Sequence, residues 1–189
     1  MNFKEYNSYF QSIVENPTPP APYDEEMYKE YTRLNYKRTQ RWLKHAEFLP
    51  ELKALIESPA APNNWVLITE PWCGDAAHSV PVIQLLSELN PSVHVEIQLR
   101  DSNSEIDNYL TRGGKSIPVL IVRDETGKDL FHWGPRPASC QEVFDKLKEE
   151  GADFEQQKIA LQNWYNNDKG VSIQQELLEK FRALYINRK

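Results

Sequence analysis

The residues best equipped for chemistry fall in one stretch, Thr69-Glu70-Pro71-Trp72-Cys73-Gly74-Asp75-Ala76. A cysteine is a nucleophile through its thiolate, so its use depends on how the chain presents it. Ahead of it, Trp65-Val66-Leu67-Ile68 is a continuous apolar run of strand length, the pattern of a strand buried on both faces. Behind it, Val80, Ile83 and Leu86 recur at helical spacing. The spacing predicts a strand-to-helix turn with Cys73 at the helix N-terminus. Unpaired N–H groups and the dipole there favour a thiolate and lower its pKa. Asp75, in the first turn of the same helix, suits the dipole but opposes a thiolate by like charge, so the two effects conflict. Glu70 is either a proton acceptor near the thiol or a plain loop carboxylate.

The second thiol, Cys140, lies in a capping-box pattern formed by Ser139 and Glu142, which predicts a helix carrying Val143, Phe144 and Leu147. That pattern puts Cys140 at the first helical position. It is a candidate distant resolving partner for Cys73 if the two Cα atoms come within about 7 Å. His45, His78, His94 and His132 are scattered, and Cys73 with His78 is not a spacing that closes a zinc site, so no metal is expected.

Several elements must position these residues. Phe3, Tyr6, Phe10, Ile13 and Val14 form a helical stripe, followed by a proline-rich connector from Pro17 to Pro22. Asp24 is a candidate cap for a helix with Met27, Tyr31 and Leu34 on one face, running on through Trp42, Leu43 and Ala46 until Leu49-Pro50 breaks it. Val93, Val95, Ile97 and Leu99 alternate with polar residues, as in a strand with one less buried face at a sheet edge. A helix from Glu105 to Leu110 is expected to stop at Gly113-Gly114. Val119–Val122 and Leu130–Trp133, joined across Asp124–Lys128, read as a hairpin. Two further helices follow, one with Ile159, Leu161, Trp164 and Tyr165, and one from Ser172 with Leu177, Leu178, Phe181 and Leu184. Their apolar faces either pack on the domain or form a homodimer interface.

At these residues the chain resembles the thioredoxin family. Trp72-Cys73-Gly74 at a strand-to-helix turn is similar to the family's active-site signature, and Pro81 matches the proline that kinks its active-site helix. Ser116-Ile117-Pro118-Val119 looks like the family's cis-proline loop, and Trp133-Gly134 ends the next strand where a family glycine approaches the active site. The resemblance covers residues 40–150. It implies an α/β thioredoxin-like fold, with a central mixed sheet of about four strands flanked by helices. Residues 1–39 would be a helical N-terminal extension and residues 151–189 a helical C-terminal one, with helices in place of the family's first strand. By the same resemblance Cys73 is the nucleophile, Trp72 shields the thiol, and the backbone of Ile117 beside Pro118 pairs with an extended peptide or glutathione backbone. Trp133, Gly134 and Arg136 then line the rim, with Arg136 either pairing a substrate carboxylate or standing as a surface arginine.

Two departures qualify the resemblance. The family's second active-site cysteine is Ala76, and its buried acid is Leu67. A lone thiol attacks a disulfide but has no neighbour to release the mixed disulfide. Single-cysteine glutaredoxin-like proteins hold an iron–sulfur cluster with glutathione, but their motif differs from Cys73-Gly74-Asp75-Ala76, so no cofactor is expected.

The 189 residues carry a net charge of −6 with no basic run, which argues against nucleic acid or an anionic membrane as the main partner. The first residues lack the layout of a signal peptide and no apolar run reaches spanning length, so a cytoplasmic location is expected. Two distant cysteines fit a reducing compartment. Two functions follow. The first is a single-thiol oxidoreductase acting on protein disulfides or with a low-molecular-weight thiol such as glutathione. The second is a redox-inactive thioredoxin-like binding or structural protein.

Overall fold

The structure is a computed structural model and describes residues 1–45 and 47–186. Its centre is a sheet of β1 (Asn64–Thr69), β2 (His94–Leu99), β3 (Val119–Arg123) and β4 (Asp129–Trp133) in the order β2-β1-β3-β4. β1 runs parallel to β2 and antiparallel to β3, and β3 and β4 form the hairpin. The two central strands carry the unbroken apolar runs, and Trp65 to Ile68 and Val119 to Val122 are all buried. β2, with its alternating pattern, is an edge strand. Beyond it Met1 exchanges both backbone hydrogen bonds with Ile97, at 2.9 and 2.6 Å, so a single paired residue borders that edge.

Three helices precede the sheet: α1 (Phe3–Glu15), α2 (Glu26–His45) and α3 (Pro50–Glu57). α1 starts at a capping box between Asn2 and Glu5 and buries Tyr6, Phe10 and Ile13. α2 begins at Glu26, a residue later than a cap at Asp24 requires, and runs unbroken across the boundary expected between residues 39 and 40. Ala46, the far end of the expected helix, lies outside the described residues, as do residues 187–189.

The buried face of α2 differs from the expected one. Met27 and Leu34 are 59 and 43 % exposed, and the face turned to the core carries Thr32, Asn35, Thr39 and Trp42. Its target is α4 (Gly74–Glu88), which is buried almost throughout. These side chains hold by hydrogen bonds as well as contact: Asn35 donates to the Pro71 carbonyl at 3.2 Å and Thr39 to that of Ala77 at 3.5 Å. A rule that seeks apolar stripes overlooks a buried face made of threonine and asparagine.

Residues Glu105–Asn108 form only a 3-10 turn, and Thr111 to Gly114 close a tight bridge instead of stopping a helix. α5 (Ala138–Glu149) begins after Pro137 without the Ser139 capping box, which makes Cys140 its third residue. Its first N–H, from Ala138, donates instead to Glu176 at 2.7 Å, a cap supplied by a distant helix. α6 (Phe154–Asp168) opens on a capping box of Asp153 and Gln156 and ends at Lys169 in the left-handed region (φ 53).

Both C-terminal helices pack on the domain. α7 (Val171–Ile186) covers β1 and β4, with the fully buried Phe181 ring 5.8 Å from Trp65 and 5.1 Å from Phe131. No helix among the described residues is long and apolar enough to cross a membrane. Truncation of Phe181 to Ala is expected to lower stability by about 3 to 5 kcal/mol, read as the free energy of urea unfolding. A loss under about 1 kcal/mol would show that α7 is peripheral to the core.

Candidate functional site

Cys73 is the N-cap of α4, with extended backbone (φ −78, ψ 121). Its sulfur accepts from the Ala76 N–H at 3.5 Å, and its S–H donates to the Ile117 carbonyl at 3.2 Å. The Ile117-Pro118 peptide is cis. Gly134 passes over this loop at φ 130, and a Cβ there would overlap the Pro118 carbonyl oxygen, so the close approach requires glycine. The ends of β1 and β4 and the start of β3 thus converge on one thiol.

The conflict between the helix N-terminus and Asp75 at the thiol resolves towards a raised pKa. Cys73 is 7 % exposed, and burial pushes its thiol up to about 12, with the Asp75 carboxylate adding to the shift. The N–H groups of Ala76 and Asp75 and the Arg136 charge pull the other way without winning. The resting group is a neutral thiol.

Asp75 is itself almost fully buried and completely engaged. One oxygen accepts from the Tyr165 hydroxyl of α6 at 2.7 Å, and the other accepts from Arg136 Nη2 at 2.7 Å and Nε at 3.2 Å. The Arg136 guanidinium also lies 4.3 Å over the Phe144 ring. Arg136 is therefore neither a surface arginine nor free for a substrate carboxylate.

His78, one turn along α4, completes this floor. Trp42 donates to His78 Nδ1 at 2.9 Å, which places the ring proton on Nε2, 3.2 Å from Gln162 Oε1. The imidazole stacks on Tyr165 with centroids 4.3 Å apart and planes 3° from parallel. Burial pushes its pKa down to about 3. His78 is thus a neutral strut between α2, α4 and α6.

Above the floor opens a cleft of about 560 Å³. One wall is α2, through Met27, Tyr28, Tyr31 and Arg38, and the other is α6, through Phe154, Lys158 and Leu161. Arg41 of α2 donates to Asn166 of α6 at 3.0 Å and ties the walls together. At the mouth, Trp72 has the Arg100 guanidinium 4.5 Å over its ring and the edge of Tyr28 beside it. Gly74 is again needed for space, because a Cβ would overlap the Tyr31 hydroxyl.

The remaining expected residues fall elsewhere. Glu70 is buried with its carboxylate on the Tyr23 hydroxyl (3.1 Å) and the Asp101 N–H (3.3 Å), so it anchors the N-terminal connector to the end of β1, and burial raises its pKa. Trp133 is buried and donates to Glu176 at 2.6 Å, away from the cleft lining. Cys140 is a fully buried free thiol, pushed up to about 12 by burial first and Asp75 second. Among the described residues, no group of three or more potential metal ligands is gathered in one place. His78, Tyr165, Tyr31, Arg38 and Arg100 were not singled out as cleft residues from sequence. His78 carried a usable signal, as a histidine on the most apolar helix of the chain.

A family model described as Thioredoxin matches residues 21–148, more than half of the chain. The chain belongs to the thioredoxin family. That match begins before α2 and ends within α5, so in this thioredoxin-family protein the α2 wall falls inside the matched region and the α6 wall outside it. No curated protein matches the chain. Among solved structures, the crystal structure of an HIV epitope-scaffold matches at 13% identity, over 97% of this chain and 99% of that one, with a TM-score of 0.55. A protein of unknown function from Pseudomonas aeruginosa matches at 12% identity, over 90% of this chain and 99% of that one, with a TM-score of 0.48. The first of these likenesses concerns the fold alone.

The buried His78 sets a pH dependence with a definite sign. The unfolded chain takes up its proton below pH 6.5, whereas the native site refuses it down to about pH 3. Stability therefore falls as pH drops through that window. From pH 6.5 to 5 the His78 share is about 1.5 kcal/mol, read as the difference between wild type and His78→Gln in urea midpoints. Identical pH profiles for the two proteins would contradict this role.

Proposed function

We propose that this thioredoxin-family protein is a single-thiol oxidoreductase in which Cys73 exchanges with a disulfide carried into the cleft. The observation that carries the reading is the Cys73 thiol at the N-cap of α4, 3.2 Å from the Ile117 carbonyl and facing an open cavity. In the first step the Cys73 thiolate attacks one sulfur of the substrate disulfide. A Cys73–substrate disulfide forms, the original S–S bond breaks, and the other half leaves as a thiolate. An external thiol such as glutathione then attacks the substrate sulfur of the mixed disulfide, forms a new disulfide with that half and expels Cys73 as its thiolate, a step needed because Ala76 leaves no adjacent resolving thiol. The substrate is a protein disulfide or a low-molecular-weight one.

The raised pKa limits the rate without forbidding the step. A rise from about 9 to about 12 cuts the thiolate fraction at pH 7 roughly a thousandfold, while the more basic thiolate is roughly twentyfold more nucleophilic. The net penalty is about fiftyfold, near 2.3 kcal/mol. Positioning a substrate against the nucleophile is worth about 7 to 11 kcal/mol, which is larger. The neutral, buried thiol is the specific observation that favours the second reading, a redox-inactive binding protein using the same cleft.

The two readings separate in one experiment. Cys140→Ser protein, which retains one thiol, is incubated with oxidised glutathione and weighed by intact-mass spectrometry. The exchange reading expects one glutathione adduct per chain, removed by reduced glutathione and lost in Cys73→Ser/Cys140→Ser. No adduct on the folded protein, with normal reaction after unfolding, would leave the binding reading.

A further inference from the structure

The cleft lining has a composition that thiol exchange alone does not explain. It holds five cationic side chains, Arg38, Arg100, Lys115, Arg136 and Lys158, against one carboxylate, Asp75. The chain as a whole is acidic, at −6. Most of these cations are already paired: Arg136 with Asp75, Arg100 with Asp101, Lys115 with Asp107 and Lys158 with Glu155. Arg38 is different. Its hydrogen bond goes to a neutral group, Asn35 Oδ1 at 2.9 Å, and no carboxylate pairs with it among the described residues. A half-buried guanidinium of this kind leaves donors for an anion, ideally a carboxylate or sulfonate gripped by two N–H groups.

Much of the remaining lining is aromatic or aliphatic, beside the polar Ser116, Gln157 and Gln162. Arg38 and Lys158 sit 5.5 and 4.8 Å from the Tyr31 ring centre, so cationic heads border an aromatic surface. Tyr28, Trp72, Phe144, Phe154 and Leu161 extend it, and Phe154 is left 60 % exposed at the rim. The volume, about 560 Å³, suits a small molecule, and the α2 and α6 walls tied by Arg41 and Asn166 confine it on two sides. From these observations we infer that the cleft binds a small organic anion with a flat apolar body, its acid on Arg38 and its body against the Tyr31 and Phe154 rings, which flank the Lys158 ammonium at 4.8 and 5.4 Å. This rests on the single-thiol reading only for the identity of the site. If Cys73 exchanges with a disulfide, the substrate is a small acidic disulfide with an apolar body in place of a long extended peptide.

The test uses full-length Cys73→Ser protein, so that binding is read without thiol chemistry. The probes are 8-anilino-1-naphthalenesulfonate and its uncharged analogue N-phenyl-1-naphthylamine, followed by fluorescence titration. The sulfonate is expected to bind one site per folded chain. Arg38→Gln should weaken it about tenfold and leave the neutral probe unchanged, while Phe154→Ala, a change at an exposed position, should weaken both. Failure of the sulfonate to bind the folded protein would overturn the inference. So would sulfonate affinity within about twofold of the parent in both Arg38→Gln and Phe154→Ala. Because the thiol is absent throughout, either result stands whether or not Cys73 proves capable of exchange.

Discussion

A buried carboxylate at the start of α4 is the constraint on which the rest of the site depends. A carboxylate buried in that position needs partners, and those of Asp75 come from two other parts of the chain. Arg136 arrives from the loop after β4 and Tyr165 from the last turn of α6. Meeting that one requirement draws α5 and α6 onto α4. It also fixes the Tyr165 ring on which His78 stacks, and through His78 and Trp42 it reaches α2. The polar chain from Trp42 to Arg136 therefore joins the N-terminal helices, the thioredoxin-like core and the C-terminal helices. Removing Arg136 would leave a buried charge uncompensated, a more damaging change than loss of a surface ion pair.

The same carboxylate bears on the chemistry. A helix N-terminus offers a thiolate a modest benefit, about 1 kcal/mol at an exposed site. Here the thiol is buried against the Ile117 loop, two residues ahead of Asp75, and burial with like charge exceeds what the N–H groups return. The thioredoxin arrangement is kept in its backbone, with cysteine at the N-cap, the Pro118 loop opposite and Gly134 beside it. The electrostatic setting holds the nucleophile protonated. With Ala76 in the second motif position, any exchange at Cys73 would depend on substrate positioning and on an external thiol.

How far the sequence could be read follows from the range of each contact. The strand-turn-helix around Cys73 and the hairpin from Val119 to Trp133 were legible because their signals, an unbroken apolar run and the turn residues Asp124 to Lys128, are local. Gly134 was legible only through the family resemblance, which puts a glycine at the end of that strand beside the proline loop. The face of α2 was not, because the residues it buries are Thr32, Asn35 and Thr39, which a hydrophobic pattern places outside. The cap of α5 was misassigned to Ser139 because a local motif was present while the actual acceptor, Glu176, lies in α7. The Asp75–Tyr165 bond spans 90 residues and has no local signature, so neither Asp75's neutralisation nor the α6 wall of the cleft could be read from the chain.

Burial and Asp75 together set the state of Cys73. The decisive experiment is the pH dependence of Cys73 alkylation by iodoacetamide, in a Cys140→Ser background so that one thiol reports, with and without Asp75→Asn. The expected midpoint lies above the ordinary value of about 8.5 in the parent and falls once the carboxylate is removed. A parent midpoint at or below about 8.5 would contradict it, and would mean that the helix N-terminus, not the buried carboxylate, governs the thiol.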